Sequence, residues 1–172
     1  NSSSKHSVVD LVDELLTVSK SLSGIPIWTN GNRQEELRFS WPVLIGGELH
    51  GCYVAATAYP DSRETRFTIS LVFRDICIWR VDYEHEHKRH TNPADRIVAL
   101  GCAVVAGRGF HAWSDNRHLA TFAGLPKEMK CARPLPENIR GWENTFRWFC
   151  GETRIAQPSK IPDWPTMTRL EL

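Results

Sequence analysis

Neither sign of charge is in meaningful excess in this sequence: 21 Lys and Arg face 20 Asp and Glu, a formal net charge of +1. That balance excludes a polybasic tail and strong non-specific attraction to nucleic acid or anionic membrane, and it leaves room only for a local basic patch. No apolar run approaches the roughly 20 residues that a bilayer-spanning helix requires. Internal repeats and low-complexity linkers are missing too. The five cysteines, Cys52, Cys77, Cys102, Cys131 and Cys150, are isolated, and none forms a Cys-x-x-Cys pair. This argues against a disulfide framework and a thiolate zinc cluster, so reduced thiols in a cytoplasmic protein are expected. The start, "NSSSKHS", has neither an initiator methionine nor an apolar signal core, and reads as a trimmed end.

At 172 residues the chain can bury an adequate core without a disulfide, metal or cofactor. Residues 1–155 read as one α+β domain and 156–172 as an extended, proline-rich tail. "SVVDLVDELLTVSKSL" has apolar residues at helical spacing from Val8 to Leu22, with Ser7 as N-cap, and Gly24 and Pro26 close the segment. In "LRFSWPVLI" the alternate residues Leu37, Phe39, Trp41, Val43 and Ile45 form one apolar strand face, and Pro42 marks an edge or an interruption. "LHGCYVAATAY", "RFTISLVF" and "ICIWRVDYEHEH" follow after short polar turns. The expectation is a four- to five-stranded antiparallel meander packed against an N-terminal and a C-terminal helix, with "GFHAW" as a fifth strand. "IVALGCAVVAG" fits either a strand pair or a short buried helix, and the C-terminal helix carries Ile139, Trp142, Phe146 and Phe149 on one side.

Chemistry concentrates in "IWRVDYEHEHKRHTNP", residues 78–93. In a strand, Arg80, Asp82, Glu84 and Glu86 share one face, and Trp79, Val81, Tyr83, His85 and His87 share the other. Arg80 and Asp82 are close enough to pair and to keep the carboxylate ionised. His85 and His87 on one strand face could bind a divalent ion, with His90 or His111 completing the set, but no carboxylate sits at a recognised zinc spacing, and no metal is expected. Further on, Gly107 and Gly109 flank Arg108 ahead of His111, so backbone amides there could approach an anion. Of the seven tryptophans, Trp113 and Trp164 sit in contexts that read as exposed.

The order Arg80-x-Asp82, His90-x-Asn92-Pro93, Gly109-x-His111 and a C-terminal aromatic helix resembles a loose group of small bacterial and phage proteins. It also looks like the TumE-type toxins of toxin–antitoxin pairs. The likeness spans residues 75–155, and Trp113 stands where those relatives often carry a second histidine. The resemblance implies a toxin-like protein that processes RNA or another phosphodiester. The catalytic candidates are then Arg80, Asp82, His90 and His111, and the substrate-binding candidates are Asn92, Arg108 and Trp113. A second reading is a non-catalytic interaction module (antitoxin, immunity or phage accessory factor) that binds a cognate partner or a second copy through the tail at Trp164. A third is a metal-dependent hydrolase using His85, His87 and His90.

Overall fold

The computed structural model describes residues 7–121 and 124–166. Helix α1 (Val8–Thr17) is followed by the short strands β1 (Ser21–Leu22) and β2 (Thr29–Asn30), and then by the long strands β3 (Leu37–Ile45), β4 (Glu48–Ala58), β5 (Phe67–Phe73) and β6 (Ile76–Tyr83). β7 (Arg89–Thr91), α2 (Ile97–Leu100), β8 (Val104–Ala106), β9 (Gly109–His111), α3 (Trp113–Asn116), β10 (Arg133–Pro134) and α4 (Trp142–Glu152) complete the order. The α+β class stands. The main sheet, however, has eight strands instead of four or five, ordered β1-β3-β4-β5-β6-β9-β10 with β2 also on β3, and β7 and β8 form a separate ribbon.

Ser7 caps α1 as expected. Its Oγ accepts from the Asp10 N–H at 3.2 Å, and the Asp10 carboxylate accepts from the Ser7 N–H at 3.3 Å. The helix does not reach Leu22, which corrects the apolar spacing read above. It stops at Thr17, because Lys20 turns back to donate its Nζ to the carbonyls of Leu15 (2.6 Å) and Val18 (2.7 Å), and Ser21–Leu22 then pair with β3. Lys20 is only 2% exposed, and burial pushes its amine down to about 8.

The meander β3–β6 is antiparallel throughout. Its tight turns have left-handed backbone: Gly46 and Gly47 before β4, and Arg74 and Asp75 before β6 (φ +50° and +63°). Pro42 sits where the β3–β4 register shifts, so it interrupts the ladder. One face of the sheet is apolar. Phe39, Trp41, Val54, Ile69 and Trp79 share a core with Val12 and Leu15 of α1 and with Trp142, Phe146 and Phe149 of α4. Trp142 is its aromatic centre, 5.2 Å from Phe67, 5.4 Å from Trp28 and 5.6 Å from Phe146, ring to ring. The five cysteines are all free, and burial pushes Cys52 and Cys150 up to about 11 and about 12.

The "IVALGCAVVAG" stretch is neither a strand pair nor a buried helix: α2 is a single helical turn of which only Leu100 is buried, a left-handed Gly101 ends it, and the one strand that follows, β8, pairs with β7. The described part of the tail is extended but not free. Ile161 is buried, Trp164 lies 5.8 Å from Phe67 and 6.0 Å from Trp142, and its Nε1 donates to the Pro60 carbonyl. Trp164, expected to be exposed, is half-buried against the chain's own core. Residues 167–172 of that expected tail lie outside the described residues.

Two buried asparagines close the far end of the domain. Asn92 Oδ1 accepts from the Ala132 N–H (2.8 Å), and its Nδ2 donates to the carbonyls of Ala132 (2.9 Å) and Cys102 (3.0 Å). Asn116 repeats the device one residue earlier, accepting from the Cys131 N–H and donating to the Cys131 and Ala112 carbonyls. Each side chain thus acts as a neighbouring strand for a segment that has little strand pairing of its own. Asn92→Ala should leave the Ala132 N–H without a partner and its carbonyl with only the weak Cys102 thiol at 3.8 Å, and lower the free energy of unfolding by about 2–4 kcal/mol. Urea denaturation checks this, with the exposed Val98→Ala as the control expected to change it by less than about 0.5 kcal/mol.

Candidate functional site

On the sheet face away from the helices, strand alternation and register bring the polar residues together. Arg80 and Asp82 point out of β6, Ser70 and Thr68 oppose them on β5, and His111 of β9 lies directly opposite Arg80. Directly paired residues share a face, so His111 is delivered beside Arg80 by register alone. Asp82 Oδ2 accepts from Arg80 Nε at 3.1 Å and lies 3.1 Å from His111 Nε2, which is in turn 3.2 Å from Arg80 Nη2. The guanidinium, carboxylate and imidazole form a closed triangle.

The burial of these groups is graded. His111 is 3% exposed, whereas the side chains of Asp82 and Arg80 are 28% and 34% exposed. His111 Nδ1 is buried without a hydrogen-bond partner among the described residues. A buried N–H without an acceptor costs more than a bare lone pair, so the neutral ring carries its hydrogen on Nε2 and donates to Asp82, and Arg80 Nη2, which can only donate, then lies beside that N–H without bonding it. Burial pulls the Asp82 carboxyl upward, but the hydrogen bond from His111 and the positive charge of Arg80 outweigh it and hold the group below its ordinary value of 3.8. With Nε committed to Asp82 and Nη2 beside the buried His111, the Nη1 N–H groups of Arg80 are left to donate to a ligand.

His90 completes the cluster from the small ribbon, its ring centroid 5.0 Å from that of His111 and nearly perpendicular to it. Its Nε2 lies 2.7 Å from the Lys130 carbonyl. A carbonyl can only accept, so Nε2 is the donor, and Nδ1 holds the lone pair of the neutral ring. The Lys130 carbonyl is held in place by the two asparagine clamps immediately after it.

The triangle lies at the junction of two open depressions. One, of about 600 Å³, runs over Thr57, Thr68 and Tyr59 and is lined by Arg33, Arg66, Lys88 and Arg89 against Glu36 and Glu84. The other, of about 510 Å³, is lined by Lys127 and Lys130 against Glu128. Arg80 and His90 border both. Basic residues outnumber acidic ones in each, a local excess that the near-neutral total conceals.

Four of the residues expected at a site converge: Arg80, Asp82, His90 and His111. The other three do not join them. Asn92 is 3% exposed and saturated by backbone, a structural clamp and not a contact for substrate. Arg108 follows the opposite alternation to His111, so it emerges on the helix side, where it donates to the Ile139 carbonyl at 2.6 Å and lies over the Tyr83 ring. The Gly107–Arg108 step is not a simple hairpin but a crossing from β8, in the ribbon, to β9, in the main sheet. Trp113, expected to be exposed, is 4% exposed and donates its Nε1 to Asp13 of α1 at 2.7 Å.

His85 and His87 lie beyond the end of β6 in an exposed turn, their rings stacked 5.3 Å apart, so the strand alternation assumed for them does not apply. Among the described residues no three His, Cys, Asp or Glu side chains gather as a metal-binding group, and His85, His87 and His90 do not assemble into one. The residues that sequence reasoning missed are the cations around the triangle, chiefly Arg33, Arg66, Arg89, Lys127 and Lys130. Arg66 gave a usable signal, because it directly precedes a strand whose outward residues are small and polar.

No protein-family model matches the chain, and comparison with curated proteins and with solved structures gave no match.

The depressed acidity of Asp82 has a signed consequence. Its contribution to stability should be fully present above the unfolded value of 3.8 and be lost as pH falls through the lower folded value. The difference in unfolding free energy between wild type and Asp82→Asn should therefore be level at neutral pH and shrink only below about pH 4. Thermal or urea unfolding at a series of pH values measures it. A difference that stays constant down to pH 2 would mean that the carboxylate is not held ionised by its neighbours.

Proposed function

We propose that this chain cleaves RNA phosphodiesters by acid–base chemistry at the Arg80–Asp82–His90–His111 cluster, as a toxin-like ribonuclease. The observation that carries the reading is the convergence, from three separate stretches of chain, of an Arg–Asp–His triangle whose carboxylate is held ionised and a second histidine with a lone pair on Nδ1, where two basic depressions adjoin.

The geometry divides the roles. His90 Nδ1 takes the proton of a ribose 2′-hydroxyl, and the 2′-oxygen forms a bond to phosphorus. The free N–H groups of Arg80 hold the non-bridging oxygens as charge builds on them. The bond from phosphorus to the 5′-oxygen then breaks, and that oxygen takes a proton from water in the open depression, leaving a 2′,3′-cyclic phosphate. Asp82 and His111 are positioning residues: they fix the plane of the guanidinium, and the buried His111 ring is too enclosed to reach substrate itself.

The exposed Ile25 and Ile27, 74% and 81% accessible on either side of Pro26, favour the second reading, an interaction module that binds a cognate protein. The two readings separate on one assay. Wild type should cut single-stranded RNA to cyclic-phosphate ends and leave the deoxy strand intact. His90→Ala and Arg80→Ala should each lower kcat/KM by about 10²–10⁴-fold. His111→Asn should lower it less and spare KM. RNA left uncut by wild type, or cut equally by His90→Ala, removes the catalytic reading in favour of the interaction module.

A further inference from the structure

The two depressions are not independent pockets, because Arg80 and His90 form part of the wall of both. They adjoin there, the first over the polar face of the sheet and the second beside the ribbon, and the two are taken together as one channel. From Thr57 on β4 through Thr68 on β5 to Asp82 on β6 the first depression crosses two strand spacings, about 10 Å. The cations are distributed along this channel and not gathered at one point. Arg33 and Arg89 lie on one side of the catalytic cluster and Lys127 and Lys130 on the other, all four exposed. A single phosphate needs Arg80 alone. Cations in both arms suit a ligand with negative charges spaced along its length.

The first arm carries a further feature. The Arg66 guanidinium lies 3.8 Å from the centroid of the Tyr59 ring, and its side chain keeps 34% of its surface exposed. Tyr59 is held from behind by its hydroxyl, which donates to Glu36 at 3.1 Å. An arginine held over an aromatic ring can offer its other side as a stacking platform for an unpaired base. The carboxylate of Glu36, at the same end, has acceptor capacity for a base amino group. A duplex offers no open base face to such a platform. Its rigid backbone also cannot descend to Arg80 and His90 on the channel floor.

We infer that the channel binds an extended single-stranded oligonucleotide, with one phosphate at Arg80, flanking phosphates on the Arg33–Arg89 and Lys127–Lys130 arms, and one base stacked on Arg66. This deepens the reading above and rests on it for the position of the reacting phosphate, although occupancy of the channel can be measured without cleavage. Single-stranded deoxyoligonucleotides, which lack the 2′-hydroxyl, serve as uncleaved probes in fluorescence anisotropy at several salt concentrations.

A strand of about ten nucleotides should bind at least tenfold more tightly than a dinucleotide or the matching duplex. The slope of log affinity against log salt should lessen by about 1.4 in Lys127→Ala/Lys130→Ala and equally in Arg33→Ala/Arg89→Ala, two phosphate contacts each. Arg66→Ala should weaken binding by about tenfold, and Arg66→Lys, which keeps the charge but loses the plane, should not restore it. Equal affinity for dinucleotide and long strand, duplex binding as tight as single strand, or unchanged salt slopes in the arm variants would overturn the inference. If those results came with RNA cleavage that still required His90, the channel would fall and the catalytic reading stand. Tight, arm-dependent strand binding without cleavage would do the reverse.

Discussion

The segment Lys130–Pro134 has only two residues of strand pairing with β9, yet the site depends on where it lies. Asn92 and Asn116 fix it, each presenting an amide edge that answers the N–H and C=O of a buried residue, Ala132 and Cys131 respectively. A segment clamped at two successive residues has little freedom to rotate, so the Lys130 carbonyl just before them keeps one direction. That carbonyl sets the tautomer of His90, and Asn92 sits two residues beyond His90 in the same ribbon. Arg133, on the other side, bonds the Asp115 carboxylate through Nε at 2.8 Å and Nη2 at 2.9 Å. Positioning the histidine is thus the work of two amides that touch nothing catalytic.

The remaining order comes from the sheet. Its two faces have opposite chemistry, and the boundary between them runs through every long strand. On β6 the side toward the helices carries Trp79, Val81 and Tyr83, buried against Phe67, Phe110 and Phe149. The other side carries Arg80 and Asp82 toward solvent. Helices on one face only leave the other open, and the ribbon of β7 and β8 contributes His90 and Arg89 to its margin. The core and the candidate site are therefore two readings of one alternation.

That alternation is why much of this was legible in the sequence. Period-two spacing placed Phe39, Trp41 and Val43 inward and paired Arg80 with Asp82, and Ser7 announced the start of α1. What stayed hidden depended on partners far along the chain. Asn92 read as a turn residue because its side-chain partners, at Cys102 and Ala132, are distant in sequence. Arg108 looked like a companion of His111, but being three residues before it places the two on opposite faces. Trp113 seemed exposed because Asp13, its acceptor, lies 100 residues earlier. The helical spacing that ran on to Leu22 was overridden by a lysine that folds back and by pairing with β3. Local rules fixed local directions, and long-range contacts decided which of those directions met.

Within β6 the register against β5 slips by one residue: Leu71 pairs with Trp79 and Val72 with Cys77, so Ile78 is left without an opposite number. Ile78 and Trp79 are consequently both buried although they are adjacent, and the in–out parity of the strand reverses between them. The pairs on either side of Ile78, Leu71 with Trp79 and Val72 with Cys77, are consecutive on β5, so β6 carries one residue more than its partner. Without that residue the two matched ladders would join into one regular ladder, with Arg80 still opposite Ser70 and Asp82 still opposite Thr68. The surplus is thus an addition to the interior: it sets a second apolar side chain beside Trp79 while the polar edge of the strand keeps its phase.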